Sequence, residues 1–358
     1  MSVEDKHIFI FGSSTMSLSD TTIRLGGAVD KTKKVVFTDH LVNGTVEVIS
    51  ESAADTAPNQ ITVWGRQTDG SLSSEVIGFS GVTPRSSTSP LTFERLLRAK
   101  VDTSATGGGD HGIVGNTCVR NTDIDHQGTI DYAGTDWAVI NATASAVADY
   151  YQGMVFRMTD GGAANEIREI VKYDASSVKC YFRDLTAAPS NGDAYEIATG
   201  MVFDTTDGAY NIEDIAIKDI RRPFYNIAAE PASGSSVDAY EKVFVWNLHS
   251  ALALTSATLD EVDVGLYAIV QFALSSSMSG TGGGDSTNDN NDRFTPPADS
   301  VSAFSDSALD LGNKSGGADA DGNLSASTGQ GVWLHLYLST GASAQNSYYR
   351  LQVSGQSI

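Results

Sequence analysis

Apolar and polar residues alternate along most of this chain with the two-residue period of a strand, and the clearest run is Val332 to Leu338, Val-Trp-Leu-His-Leu-Tyr-Leu. That period puts Val332, Leu334, Leu336 and Leu338 on one face and Trp333, His335 and Tyr337 on the other. The aliphatic face requires a core. The Trp/His/Tyr face suits a second packed layer or a partner subunit, the partner slightly favoured. The polar run Ser339 to Ser347 follows, and then Tyr349, Leu351 and Val353 alternate again, which predicts strand, loop, strand.

Taken in order, residues 1 to 34 hold one apolar burst, Ile8-Phe9-Ile10-Phe11, read as an arm or an edge strand. Val35-Val36-Phe37 begins a regular series. Asn43-Gly44 is a type I′ hairpin signal before the alternating Thr45-Val46-Glu47-Val48-Ile49. Ile61-Thr62-Val63-Trp64 and Glu75-Val76-Ile77-Gly78-Phe79 flank a second turn signal, Asp69-Gly70. Phe93 to Val101 suits a helix through Phe93, Leu96 and Leu97, and a strand through Phe93, Arg95, Leu97 and Ala99. A Gly-rich boundary spans 104 to 116. Further on come Met201-Val202-Phe203, an ambiguous stretch Ile212 to Ile220, and a polar linker Ala232 to Asp238. Tyr240 to Asn247 opens a last unit, in which Leu266, Ala268, Val270, Phe272 and Leu274 alternate and Val332 to Leu338 answers them. The polar stretch Ser275 to Asp299 between them exceeds the usual connection length, and is disordered or ordered by contact with a neighbour.

Composition narrows the function. The chain has 358 residues, with 23 Lys plus Arg against 44 Asp plus Glu, for a net charge of -21. Such a polyanion is repelled by phosphate backbones and by anionic membrane surfaces, so neither nucleic acid nor membrane is an expected partner. No window approaches the ~18 apolar residues of a membrane span, and no signal peptide is expected behind Met1. Cys118 and Cys180 make no disulfide framework; one bridge between them is conceivable, and two free buried thiols are the preferred reading.

Candidate chemistry is sparse. Asp319-Ala320-Asp321-Gly322-Asn323 spaces oxygens as the first part of an EF-hand loop does, but lacks the distal Glu and flanking helices. Asp285 to Asp292 is a second oxygen-rich run, and solvated turns are the commoner fate of both. His7, His40, His111, His126, His249 and His335 have no zinc-site spacing. Acid pairs such as Asp123/Asp125, which a glycosidase would need, arise by chance in so acidic a chain. Trp64, Trp137, Trp246 and Trp333 could line a sugar site but fit better as core or interface anchors. No P-loop, Gly-x-Ser-x-Gly elbow or dinucleotide fingerprint is present. No catalytic, cofactor-binding or metal-binding residue is assigned, no cofactor is expected, and the chain is read as a non-enzyme.

Two stretches resemble β modules of virion structural proteins from tailed bacteriophages. The first contains Val63-Trp64-Gly65-Arg66, Asp69-Gly70, Ser74-Glu75, Gly81-Val82-Thr83 and Thr92-Phe93-Glu94-Arg95-Leu96-Leu97, where Gly81-Val82-Thr83 departs from the usual turn. This resemblance implies that 93 to 100 is strand. The second, more specific and about fifty residues long, contains Tyr150-Tyr151-Gln152-Gly153-Met154, Thr159-Asp160-Gly161-Gly162, Glu166-Ile167-Arg168-Glu169-Ile170, Tyr173-Asp174 and Tyr195-Glu196-Ile197, with Ala163-Ala164-Asn165 replacing part of the glycine turn. It reads as a set of hairpins burying Met154, Phe156, Ile167, Ile170 and Tyr195. Tyr240 to Asn247, followed by Leu252, Leu254 and Ala257, is similar to the start of a phage structural β-sandwich.

The expected fold is mainly β: two β-sandwich-like domains with a small inserted β module and little helix. Its parts are an arm and β domain over 1–107 continued by 198–233, the module over 108–197, and a C-terminal sandwich over 238–358. The resemblance implies a structural protein of a phage particle, made in the host cytoplasm and resident in the virion. The favoured role is capsid decoration or cement on the outer shell, as a homo-oligomer (trimer favoured) bound to the major capsid protein or another virion protein. The alternatives are a tail, neck or baseplate accessory protein, or a carbohydrate-binding or glycan-degrading tail protein.

Overall fold

Strand forms almost wherever the alternation occurs: 55% of the described residues lie in strands and 1% in helix, so the protein is mainly β. The computed structural model describes residues 3–18, 24–102, 113–205, 215–225, 236–264, 270–279, 292–300, 302–312, 322–338 and 349–357. A 3-10 turn, Asp5–His7, precedes β1 (Ile8–Thr15), β2 (Gly26–Val35), β3 (His40–Gly44), β4 (Val46–Ser50), β5 (Thr56–Arg66), β6 (Leu72–Ser80) and β7 (Phe93–Asp102). Then come β8 (Thr117–Asn121), β9 (His126–Thr129), β10 (Tyr132–Ala133), β11 (Trp137–Val139), β12 (Val155–Met158), β13 (Ile167–Asp174), β14 (Lys179–Phe182), β15 (Ala194–Ala198), β16 (Gly200–Phe203) and β17 (Asp219–Arg221). The last are β18 (Val237–Asn247), β19 (Leu254–Val264), β20 (Val270–Ser279), β21 (Leu309–Asp310), β22 (Thr328–Leu338) and β23 (Tyr349–Ser357). They gather into two units: Met1–Phe37 with Tyr210–Glu213 and Arg222–Ile358, and Thr38–Ala209 with Asp214–Arg221.

In the first unit a sheet ordered β20-β22-β18-β1-β2 faces a three-stranded sheet ordered β21-β19-β23. Ala239, Val243 and Val245 of β18, Phe272 and Leu274 of β20, and Val332 and Leu334 of β22 share one core with Leu254, Ala257 and Leu259 of β19. The aliphatic face of β22 thus does what its alternation requires; each fully buried side chain of this size contributes about 1.5–3 kcal/mol. Ile8-Phe9-Ile10-Phe11 is neither an arm nor an edge. β1 runs between β18, where Phe9 faces Trp246, and β2, where Phe11 faces Lys34. Both of its faces are apolar: Ile8 and Ile10 pack on the shared core, while Phe9 and Phe11 stack on the other side with centroids 5.6 Å apart. A strand apolar on both faces belongs inside a sheet. Residues 1–37 therefore join the C-terminal sandwich rather than the expected 1–107 domain, and so do residues from Arg222 onward.

The second unit holds three sheets. In one, β5 lies between β6 and β7, and β7 also pairs β3 and β17. Phe93–Asp102 is strand along its whole length, and Asp69-Gly70 makes its hairpin, with Arg66 opposite Leu72 and Gly70 at φ +81°. Asn43-Gly44 makes none: β3 pairs β7 while β4 pairs β8. Asn43 is left-handed at φ 47°, and the reversal carries the chain from one sheet into the next, where Asn121 Nδ2 holds the Val42 carbonyl at 2.7 Å.

β16-β8-β4 form the second sheet and β10-β11-β14-β13-β12-β15-β9 the third. Because β8 pairs β4 and β16, the excursion into the third sheet leaves after Asn121, not at 108. It returns at Thr199, whose carbonyl accepts the Asn121 N–H at 2.8 Å. Phe156, Ile170 and Tyr195 fill its core, with Phe156 stacked on Phe182 (4.8 Å) and Tyr195 (5.6 Å), and Met154 is partly buried against them. Ile167 turns elsewhere and packs with Ile49, Cys118, Val155 and Val202, fusing the excursion to the three-stranded sheet. Gly153 at φ +80° has no room for a side chain, since a Cβ there would lie 2.5 Å from Thr38 Oγ1.

Candidate interaction surfaces

The aromatic face of β22 is closed by its own chain. Cross-strand pairing sets Trp333 beside Lys242 of β18 and Ala273 of β20, and His335 beside Tyr240 and Gln271. Residues 292–300 and 302–305 cross this face. At one end the Arg293 carbonyl accepts the Tyr240 N–H (2.7 Å); at the other, Phe272 and Ser305 exchange two backbone bonds. Asp299 sits over the middle, where its carboxylate accepts from Trp333 Nε1 (2.5 Å) and Ser275 Oγ (2.5 Å) and pairs Lys242 Nζ at 3.2 Å. The Arg293 guanidinium reaches Glu241 at 2.8 Å, with both side chains almost wholly buried. Trp333 is 0% exposed. The partner-interface expectation for Trp333 is therefore corrected: the indole and the Lys242 ammonium both needed a carboxylate to be buried, and Asp299 supplies it within the same unit. The expected polar loop Ser275 to Asp299 is tied at both described ends, through Ser276 N–H to the Asp299 carbonyl (2.9 Å). Tyr337 remains 37% exposed at the end of the strand.

The other candidate residues take structural positions. His335 Nε2 lies 2.7 Å from Asp238, and its ring stacks on Tyr240 at 4.6 Å. His7 and His249 lie 4.8 Å apart between centroids; each Nδ1 accepts backbone N–H groups, Glu4 at 2.8 Å for His7, and Ala251 (3.1 Å) and Leu252 (3.0 Å) for His249. Burial lowers the His249 pKa. His40 is buried in β3, His126 lies between Tyr151 and Tyr195, and His111 falls outside the described residues. Asp125 caps the Thr199 N–H at 2.7 Å, while the Asp123 N–H binds Asn121, so this pair serves turns. Asp285 to Asn291 and Asp319 to Asp321 lie outside the described residues; Asp292 binds the Phe294 and Thr295 N–H groups at 2.8 and 2.7 Å as an ordinary turn. Among the described residues no group of three or more His, Cys, Asp or Glu could hold a metal ion. No helix among them is long and apolar enough to cross a membrane. Cys118 and Cys180 are both free and buried, and burial pushes the Cys118 thiol up to about 12 and the Cys180 thiol up as well, so neither is a reactive thiolate.

Charged residues in the second unit tie its sheets together. Glu51, just past β4, accepts the Ile167 N–H at 2.5 Å and pairs with Arg168, which also holds Glu166 at 2.8 Å. Burial raises the Glu51 pKa, and Arg168 opposes that rise. Arg120 bridges Glu47 (3.0 Å) and Glu196 (2.6 Å), and Arg98 grips Asp219 while its guanidinium covers Trp64 at 4.6 Å. Sequence reading did not single out these networks; the one available signal was arginine at alternating strand positions otherwise filled by apolar residues.

A second aromatic face is covered only in part. Trp137 of β11 pairs Tyr181 of β14, which pairs Lys172 of β13, so the three project on one side of the seven-stranded sheet. Tyr132 meets Trp137 edge-on at 5.9 Å and is 60% exposed. Lys179 holds its ammonium 3.8 Å from the Trp137 centroid and 4.7 Å from that of Tyr181. Of the four tryptophans, Trp246 and Trp333 are core, whereas Trp64 and Trp137 are half-buried beneath cations.

Comparison with protein-family models yields no match, and neither does comparison with curated proteins or with solved structures.

Proposed function

We propose that this chain is a non-enzymatic structural protein of a tailed-phage particle, and specifically a decoration or cement protein on the outer shell. It assembles as a homo-oligomer, a trimer by preference, docked on the major capsid protein. The observation that carries the reading is the run of phage-type module residues from Tyr150 to Ile197. The positions matching that pattern have structural work: Tyr151 and Tyr195 in the core, Gly153 in a turn without room for a side chain, Arg168 in the ion-pair network. The non-enzymatic part is supported by the commitment of His335, Asp238 and Asp125 to structural contacts. A surface of net charge -21 suits a subunit that stays apart from its copies until it meets the particle.

The test is to add the purified protein to particles lacking it and to image them by electron microscopy. Regular new density on the outer capsid is the expected outcome. Density at the tail, neck or baseplate supports the accessory alternative instead, and particles that never take up the protein overturn the virion reading.

A further inference from the structure

We propose that the outer face of the seven-stranded sheet, centred on Trp137, binds an acidic polysaccharide, a chain of pyranose rings carrying carboxylates. This inference does not depend on the particle reading.

In an antiparallel sheet with one face on a core, the other face is ordinarily polar. Here the inward side is filled by Ala138, Tyr173 and Cys180, and the outward side carries Tyr132, Trp137 and Tyr181 in adjacent strands. Tyr132 is 60% exposed and Trp137 and Tyr181 are half-buried, and rings grouped in this way on one face mark a binding surface rather than scattered surface residues. The π faces are electron-rich, and they already attract ammonium groups: Lys179 lies 3.8 Å from the Trp137 centroid and Lys172 lies 5.9 Å from that of Tyr181. The C–H face of a pyranose is apolar and weakly positive at its hydrogens, so the same rings accept it by stacking.

Charge selects the class of sugar. The chain carries 44 acids and 23 bases, yet two lysines stand on this face. Their ammonium groups lie over the rings, so a pyranose that stacks across β10, β11 and β14 takes their place there and meets them through its carboxylates. Asp174, opposite Lys179 in the ladder, is held down to about 2 by hydrogen bonds from Ser176 and Ser177, and its oxygens accept from them rather than from Lys179. A protein of net charge -21 repels polyanions elsewhere, so any retention by one reports a local site.

The experiment is affinity electrophoresis of the full chain through gels containing polygalacturonate, with gels containing neutral dextran or poly-glutamate in parallel. Retardation by polygalacturonate alone is expected. Trp137→Ala should weaken it at least about tenfold, as loss of an aromatic anchor does. Lys179→Gln should weaken it less and reduce its salt dependence. Tyr132→Ala removes a ring that is 60% exposed, and keeps the test valid should Trp137→Ala disturb folding. Failure of the wild type to be retarded overturns the proposal, as does retardation that both ring variants leave unchanged. Equal retardation by dextran removes the acidic class, and equal retardation by poly-glutamate shows an acidic-protein site instead.

Discussion

Trp333 on β22 and Trp137 on β11 both stand on strands whose opposite side faces a core, and each has a lysine close to its ring. Around Trp333 the chain comes back: Asp299 receives the indole N–H and the Lys242 ammonium, and the ring is fully buried. Around Trp137 the neighbouring ring is Tyr132, 60% exposed, and Lys179 lies over the indole. Alternating aromatic positions thus define a face without defining what covers it. A covering segment needs a group that satisfies the buried donors, and Asp299 is that group.

The sharpest way to break this comparison is to truncate both rings. Trp333→Ala should destabilise the first unit by about 3–5 kcal/mol, the usual cost of emptying a fully buried aromatic site. Trp137→Ala should cost less, about 1 kcal/mol, because the half-buried ring gives up its edge-on contact with Tyr132, its cation contact and its packing on Gly134. Denaturant titration measures both, and equal losses would abolish the distinction between a covered and a partly covered face.

A change of similar size tests how the covering segment is held. Arg293→Met leaves Glu241 buried without its guanidinium and should cost about 3–5 kcal/mol. Adding Glu241→Met to it removes the stranded charge and should restore most of the loss. A double variant as unstable as the single one would mean that packing of Arg293, not its charge, fixes the segment.

Smaller effects come from pH, and two groups of the first unit act in opposite directions. Burial keeps the folded His249 pKa below its ordinary value, so the unfolded chain takes up that proton first, at about pH 6.5. The contribution is fully present above that pH and is lost as pH falls through the folded value. Burial, with Asp306 and Asp260 nearby, pushes Glu261 up to about 7, so the folded state holds its proton longer than the unfolded state does. That contribution is present below the ordinary glutamate range and is lost as pH rises through about 7. Glu261→Gln should therefore raise the melting temperature at pH 8, with a gain that shrinks below pH 7 and leaves a stability that declines with acid. A gain independent of pH would show that Glu261 is not protonated in the folded protein near neutrality.

Much of the fold was legible from local pattern. Val332, Leu334 and Leu336 declared a core face, Asp69-Gly70 declared its hairpin, and Phe156, Ile170 and Tyr195 declared the interior of the excursion. Each depends on alternation or on a left-handed turn residue, and both are properties of a few consecutive residues. Asn43-Gly44 carries the same turn signal, yet its flanking strands pair with β7 and β8. Ile8 to Phe11 looked like an arm because its near partner, β2 (Gly26–Val35), carries no apolar alternation to signal a strand, while its other partner β18 begins at Val237. The partly covered face around Trp137 was equally hidden, since Trp137, Lys172 and Tyr181 meet only through strand pairing.

By itself the sequence determined that this protein is built of strands, which side chains share a strand face, and that its surface is acidic. Only the tertiary structure decided which strands are neighbours, that Asp299 closes over Trp333, and that Trp137 is left half-buried beneath Lys179. The physical reason is range. A two-residue period is fixed by backbone geometry within one strand, whereas pairing and cover depend on long-range hydrogen bonds and ion pairs, and those can be compared only once the whole chain has packed.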